Sequence, residues 1–358
     1  MNPSFLFLLL FLTGILSMPV KARTQGIAFQ DELTFYDDNE EFNEPFRISQ
    51  TLQGEQLKSL VSVPVGSHTA FRAGLFTEDR NQDSSFVGFK PLLVFEYDAD
   101  CTRLLMGTLE NQNRHGFIEP LEVSTLSTTR PVEYGLQWLE KTEGFHSDVF
   151  LDWQQVDQIG QDEIFDYGGV LQAAMGPMVS VEMQFHAYHE GGRIFNLRVV
   201  NNYNPALGVR FAGSLGFLGD GHLNLFAVTS SDFEGKFTIG PNWGRGLYAQ
   251  GSTAPGNWVE IYGLYWSAQD FFSQEGDSNY NSQGINPSFY RSGRSYEEAG
   301  LRKEINFDSG IQISGEAKSC WIDEFWGWAL HITAQIPFEV GTSLSGSNAP
   351  MKEGPDAL

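Results

Sequence analysis

Residues 178–188 read MVSVEMQFHAY, and this stretch decides the fold. Val179, Val181, Met183, Phe185 and Ala187 fall on one side of an extended chain, and Ser180, Glu182, Gln184, His186 and Tyr188 fall on the other, because successive side chains leave a strand on opposite faces. The alternation is stricter than half-buried strands of soluble proteins show. Residues 145–154 repeat it, with Val149, Leu151 and Trp153 opposing Asp148, Asp152 and Gln154, and Phe150 sharing the polar face. Residues 326–340 do so again, with Trp328, Leu330, Ile332, Ala334 and Ile336 set against His331, Thr333 and Gln335. Looser period-two segments run from residue 61 to 65, 69 to 76, 91 to 97, 103 to 109, 132 to 140, 162 to 174, 207 to 217, 223 to 229, 258 to 267, 297 to 305 and 311 to 318. No stretch of helical periodicity competes with them.

The connections alternate in length. Short ones fall at residues 66–67, 99–100, 142–144, 175–177, 218–221 and 307–310; between them come longer polar loops at 77–86, 110–131, 189–206 and 269–290. A soluble sandwich has no reason to gather its short turns at one end, whereas outer-membrane barrels pair short periplasmic turns with long extracellular loops. One face of every strand would then meet lipid and the other the lumen, and closing the sheet satisfies the edge hydrogen bonds that hydrocarbon cannot. The fold expected is an all-β transmembrane antiparallel barrel of about 16 strands, within 14 to 18, running from residue 23 to 340. In a soluble sandwich the Val179 to Ala187 row would need a second sheet as partner, and no blade-length repeat supports a propeller. Tyr97, Tyr134, Trp138, Trp153, Tyr188, Trp258, Trp266, Trp326 and Trp328 lie near segment ends, where interfacial girdles would place them.

Composition agrees. The 358 residues include 29 Phe, 12 Tyr, 8 Trp, 38 Gly and 15 Pro, a profile of strands and turns, and the formal charge of -23 excludes an electrostatic grip on nucleic acid, which needs clustered Lys and Arg. Residues 1–22 read as a signal peptide: an apolar block from Phe5 to Leu16, then Val20-Lys21-Ala22 with small residues where a signal peptidase cuts. The block is too short for a spanning helix. Residues 341–358 form a polar tail. Cys101 follows a short turn and Cys320 enters an outer loop, so the two should lie at opposite ends and form no disulfide. No C-x-x-C, H-E-x-x-H or Walker-type loop occurs, and neither a cofactor nor a metal is expected.

The stretch GTLENQNRHGFIEPLEVSTLSTTRPVEYGLQ at 107–137, followed by DVFLDWQQ at 148–155 and EIFDYGG at 163–169, resembles uncharacterised outer-membrane β-barrel proteins of Gram-negative bacteria. Its specific part is H-G-x-x-E-P-L followed by V-E-Y-G-L-Q. Over the remaining chain the likeness extends only in style to porins and polysaccharide-export barrels. The resemblance implies an exported barrel in the cell outer membrane, with outer-membrane lipid, lipopolysaccharide and the assembly machinery as partners. Such barrels commonly end on an aromatic residue, and here Phe338 is followed by twenty more residues.

The lumen face so read carries Arg72, Arg103, Arg210 and Arg302 with Asp148, Asp152, Glu182, Glu260 and Glu316. A mixed-sign lining suits a transverse field across a pore or an internal salt-bridge network, and about 16 strands ordinarily leave an aqueous channel. The expected function is a porin-like channel for small solutes or an exported polysaccharide; the alternatives are a non-porous adhesin or scaffold and, last, a lipid hydrolase. No catalytic residue is assigned, and the protein is not expected to be an enzyme. His186, His189 and Glu190 cluster near an outer rim, but Ser180 lies about 20 Å down the strand from His186 by the rise per residue. The other histidines, His68, His115, His146, His222 and His331, are scattered and read as solvated, as is the acidic run Asp37 to Glu41 with Glu44, a loop with the option of holding divalent cations against lipopolysaccharide.

Overall fold

A computed structural model describes residues 26–42, 45–81, 88–192, 199–233, 243–286 and 289–341. The expected signal peptide, Glu44 and the tail beyond residue 341 lie outside the described residues. Sixteen strands follow one another: β1 (Ala28–Phe42), β2 (Gln50–Pro64), β3 (Thr69–Arg80), β4 (Phe89–Ala99), β5 (Thr102–Thr108), β6 (Tyr134–Lys141), β7 (Phe145–Gln155), β8 (Glu163–Ala174), β9 (Val179–Gly191), β10 (Val200–Ser214), β11 (Asp220–Phe233), β12 (Trp243–Ala254), β13 (Glu260–Gln269), β14 (Gly293–Asn306), β15 (Gln312–Ile322) and β16 (Phe325–Gly341). Each pairs antiparallel with its neighbours in sequence, and β1 closes the barrel on β16 in register from Ala28 opposite Gly341 to Phe42 opposite Gly327. The fold is thus an outer-membrane barrel, and the outer membrane is where such a closed, lipid-facing sheet resides.

On β9 the decisive stretch behaves as read. Ser180, Glu182, Gln184, His186 and Tyr188 are buried in the lumen, whereas Met183 stands half exposed on the outer wall. Two of the girdle candidates line the lumen instead, Tyr188 in keeping with its place on the polar face of β9. Trp266 and Tyr188 face inward and are buried, because on β13 and β9 they share parity with Leu264 and His186. Trp258 lies just past the short turn Pro255–Asn257, exposed at the periplasmic end. The acidic run is no loop. It is the outer half of β1, with Asp38 and Glu40 buried toward the lumen and Asp37, Asn39 and Glu41 facing outward.

Strand β12 is absent from the period-two segments, and its neighbours explain why. Its lumen row begins Gly244, Gly246. A Cβ at Gly246 would sit 2.2 Å from the Trp266 ring, and one at Gly244 would strike the backbone of Asp270 and Phe271. Glycine is required for close approach, and glycine erases the hydrophobic alternation.

The hydrophobic core lies inside the lumen, not between sheets. Two outer segments fold inward: residues 109–133 between β5 and β6, and 270–286 with 289–292 between β13 and β14. Leu109, Phe117, Ile118, Leu121, Phe271 and Tyr280 from these segments pack on lumen-facing Phe150, Phe226, Trp266 and Tyr296. The segments also bond to each other, Val123 N–H to Glu275 O at 2.8 Å and Asp277 N–H to Glu119 O at 3.1 Å. A barrel wide enough for a channel is thereby filled in its outer half.

Candidate functional site

The turn Gln112–Gly116 aims the site. Arg114, His115 and Gly116 stand in succession at φ of 52°, 54° and 86°, a left-handed conformation that costs a non-glycine residue about 1–3 kcal/mol where the surroundings enforce it. It swings the His115 ring into the lumen, where the side chain has no exposed surface. His115 Nδ1 lies 2.9 Å from Asp148 Oδ2 on β7, and Nε2 lies 2.9 Å from Glu133 Oε2 on the segment entering β6. The ring stacks on Phe150 at a centroid distance of 3.9 Å and 9° between planes. Gln137 on β6 donates to both Asp148 oxygens at 3.0 Å and accepts the Glu110 N–H at 2.8 Å, so the wall and the infolded segment are tied at one point.

Burial alone would drive His115 to its neutral form. The hydrogen bonds that the ring donates to Asp148 and Glu133 outweigh it and raise the pKa to about 10, so the ring is an imidazolium at neutral pH. Burial also works against charge on Glu133, yet the His115 contact holds that carboxyl below its usual range. Glu122, 2% exposed and with Oε2 unpartnered, is pushed up to about 8 by burial and is a neutral acid at pH 7. Arg130 spans the same chamber, bonding Asp166 at 2.8 Å and Glu275 at 3.2 Å, with Asp152 at 4.0 Å. An imidazolium between two carboxylates and a buried neutral acid are the parts of a proton-transfer site.

The lumen residues named from sequence divide into separate groups. Asp148 belongs to the His115 centre, and Asp152 accepts the Tyr134 N–H at 2.8 Å beside it. Arg72 and Arg103 are both ion-paired with Glu96 and Glu110, at 2.7–3.2 Å. Arg210 bonds Glu182 at 2.7 Å, and Arg302 bonds Glu316 at 3.2 Å with Glu260 at 3.9 Å. His115 is a correction: it is not a solvated histidine. Nor is His331, whose Nδ1 lies 2.8 Å from Asp38 across the β1–β16 seam. Asp38, Glu40 and His331 bring ligand atoms within 4.8 Å of one another, close enough to share one cation, a gathering that the sequence does not announce because 290 residues separate its members. Among the described residues, His186 meets the edge of Phe117 and His189 bonds Asn201 at 2.8 Å, and neither contact brings a nucleophile. Cys101 and Cys320 are both free.

Among solved structures the barrel is similar to a loop-deletion form of OmpT, an outer membrane protein of Vibrio cholerae, with a TM-score of 0.55 at 9% identity, covering 88% of this chain and all of that one. It is also similar to an anion-selective porin from Comamonas acidovorans, with a TM-score of 0.51 at 10% identity, covering 87% of this chain and all of that one. At such identities the likeness concerns the fold alone. No curated protein matches. The model of the lipid A 3′-O-deacylase-type family, however, matches residues 21–324. That match corrects the expectation that the protein is not an enzyme, because the family is described by an enzymatic activity. On a match spanning most of its length, the chain belongs to the lipid A 3′-O-deacylase-type family.

Proposed function

We propose that the protein hydrolyses ester-linked acyl chains of an outer-membrane glycolipid such as lipid A, with His115 at the centre of the reaction. One observation carries this reading. The polar residues of the stretch that marks the sequence, His115, Glu133 and Gln137, converge with Asp148 on a single buried point, in a chain whose family is described by removal of an acyl ester.

Ester hydrolysis needs a water deprotonated for attack and a leaving alkoxide protonated. Asp148 is fixed on the wall and orients Nδ1–H, as the carboxylate of a triad orients its histidine. Glu133 accepts the Nε2–H hydrogen bond in the resting site, and release of that proton to solvent frees Nε2 to act as the base. The neutral imidazole then accepts a proton from water, hydroxide adds to the ester carbonyl, and collapse of the tetrahedral adduct expels the sugar alkoxide. Glu122 delivers the proton that the alkoxide requires. The products are a free fatty acid and the sugar alcohol.

Mass spectrometry of lipid A incubated with the refolded chain in mixed micelles tests this. Loss of one ester-linked acyl chain is expected, with His115→Gln at least 100-fold slower. Intact lipid A, with other ester-linked outer-membrane lipids equally untouched, overturns the reading. Passage of small solutes is a second reading, favoured by the cavity of about 210 Å³ in the periplasmic half, between Ser180, Arg210, Glu260 and Arg302. Planar-bilayer conductance that changes in an Arg210→Ala, Arg302→Ala double variant is the outcome it requires.

A further inference from the structure

The outward face of β1, β2 and β3 breaks the pattern of the barrel wall. On β16 the outward row reads Trp328, Leu330, Ile332; directly opposite in register on β1 stand Glu41, Asn39 and Asp37. The polar face continues sideways. Asn39 and Asp37 lie opposite Thr51 and Gln53 of β2, and Glu55 lies opposite Asp79 of β3. Side-chain bonds stitch it together: Thr51 Oγ1 to Asn39 at 3.0 Å, Gln53 Nε2 to Asp37 at 3.0 Å and Asn81 Nδ2 to Gln53 at 3.1 Å. Elsewhere at this end of the barrel, the outward positions carry exposed Trp153, Trp321, Trp326 and Phe89, as an interfacial girdle requires.

Carboxylates on a lipid-facing wall are costly against acyl chains, so this face must meet polar matter. Among the described residues the outer halves of these three outward rows hold Asp37, Glu41, Glu55 and Asp79, Asp31 lies on the same side of β1 nearer the periplasmic end, and no Lys or Arg stands in any of the three rows. A two-fold contact with a second copy would therefore set carboxylate against carboxylate. A head group rich in hydroxyls, whose own phosphates are neutralised by divalent cations, has the complementary chemistry: hydroxyls donate to the carboxylates and amide oxygens, and the cations bridge the two sets of anions. A hollow of about 550 Å³ adjoins the face at the outer rim, between Glu41, Phe42, Ser49, Glu324, Trp326 and Trp328, and offers indole faces on which a sugar ring can lie. Phe42 faces the lumen and Trp328 the outside, so this hollow straddles the rim.

We infer that the outward face of β1–β3 and the adjoining rim hollow form a docking surface for the saccharide head group of an outer-leaflet glycolipid, held through its hydroxyls and bridging divalent cations. This rests on the proposed action on such a lipid, and it supplies what the buried His115 centre lacks, a place where the substrate leaves the bilayer plane.

The test uses the full chain folded in detergent, with purified lipid A as probe and calcium as the cation. Lipid A binding is measured by native mass spectrometry for the wild type, for His115→Gln, and for an Asp37→Leu, Gln53→Leu, Asp79→Leu triple variant. An Asp37→Asn, Asp79→Asn variant serves in its place if the triple variant loses the heat-modifiable gel shift of a folded barrel. The expected result is at least 10-fold weaker binding by the outward-face variant, a similar loss for the wild type in EDTA, and unchanged binding by His115→Gln. Equal binding by wild type and outward-face variant overturns the inference. So does failure of the wild type to bind lipid A, or a dimer that only the variant loses. Binding without acyl release would sink the deacylase reading and leave the docking surface standing.

Discussion

His115 is an imidazolium with two carboxylates, and the pH behaviour of its surroundings follows. Its folded pKa of about 10 exceeds the unfolded value near 6.5, so its contribution is complete below pH 6.5 and is lost as the pH rises toward 10. Glu122, neutral in the fold up to about 8, adds the same sign over a lower window, because the unfolded chain releases that proton near pH 4.5. Protection factors for amide exchange in residues 110–133, which remove the intrinsic base catalysis, should therefore fall from pH 6.5 to 10 in the wild type, and His115→Gln should flatten that fall. Replacing Glu133 by Gln keeps the shape and removes one of the two charges that hold the imidazolium; turnover on lipid A should fall 10- to 1,000-fold, and thermal stability should fall with it because a buried ion pair is broken. Little of this is visible in the sequence, where positions 115, 133, 137 and 148 are spread over three segments. The motif around His115 carries the only signal, and without the left-handed turn nothing says that the ring points inward.

At the scale of elements, the infolded segment 109–133 converts a wide barrel into a closed one. Residues 112–130 contribute side chains to the lumen core and to the charged chamber, but no strand. Deleting them and bridging with a short Gly-Ser linker should leave the barrel folded and give planar-bilayer conductance steps several times larger than any in the wild type; equal conductance would show that the segment does not close the lumen. Strands were legible wherever the alternation survived, as in β7, β9 and β16. They were not legible where the lumen row is glycine, as in β12, where Trp266 occupies the space. Substituting Gly246 with Val should cost about 2–4 kcal/mol, the range of overpacking plus a displaced buried aromatic, measurable as an earlier denaturant midpoint.

For the whole molecule, the strand count and the segregation of short turns at one end followed from periodicity and loop length, because a barrel imposes both on every hairpin alike. Lumen occupancy did not follow, since an infolded segment and a surface loop have the same composition. Wall position governs tolerance to charge: Met183→Arg, on the lipid-facing side of β9, should destabilise the barrel by about 2–4 kcal/mol if it lies near the bilayer midplane, whereas Gln172→Arg on the lumen side of β8 should cost far less. Refolding titrations of the two variants in the same vesicles check the difference.

The seam between β1 and β16 joins 15 successive positions, from Ala28 opposite Gly341 to Phe42 opposite Gly327. Once it has formed, every strand has two neighbours and none is first or last. The polypeptide is a line, but the hydrogen-bonded object is a ring, and a ring has no preferred place to be cut. A gene rewired to start at Phe325 and finish at Ile322, with the former ends spliced through a flexible spacer on the periplasmic side, should yield the same barrel from a different order of synthesis.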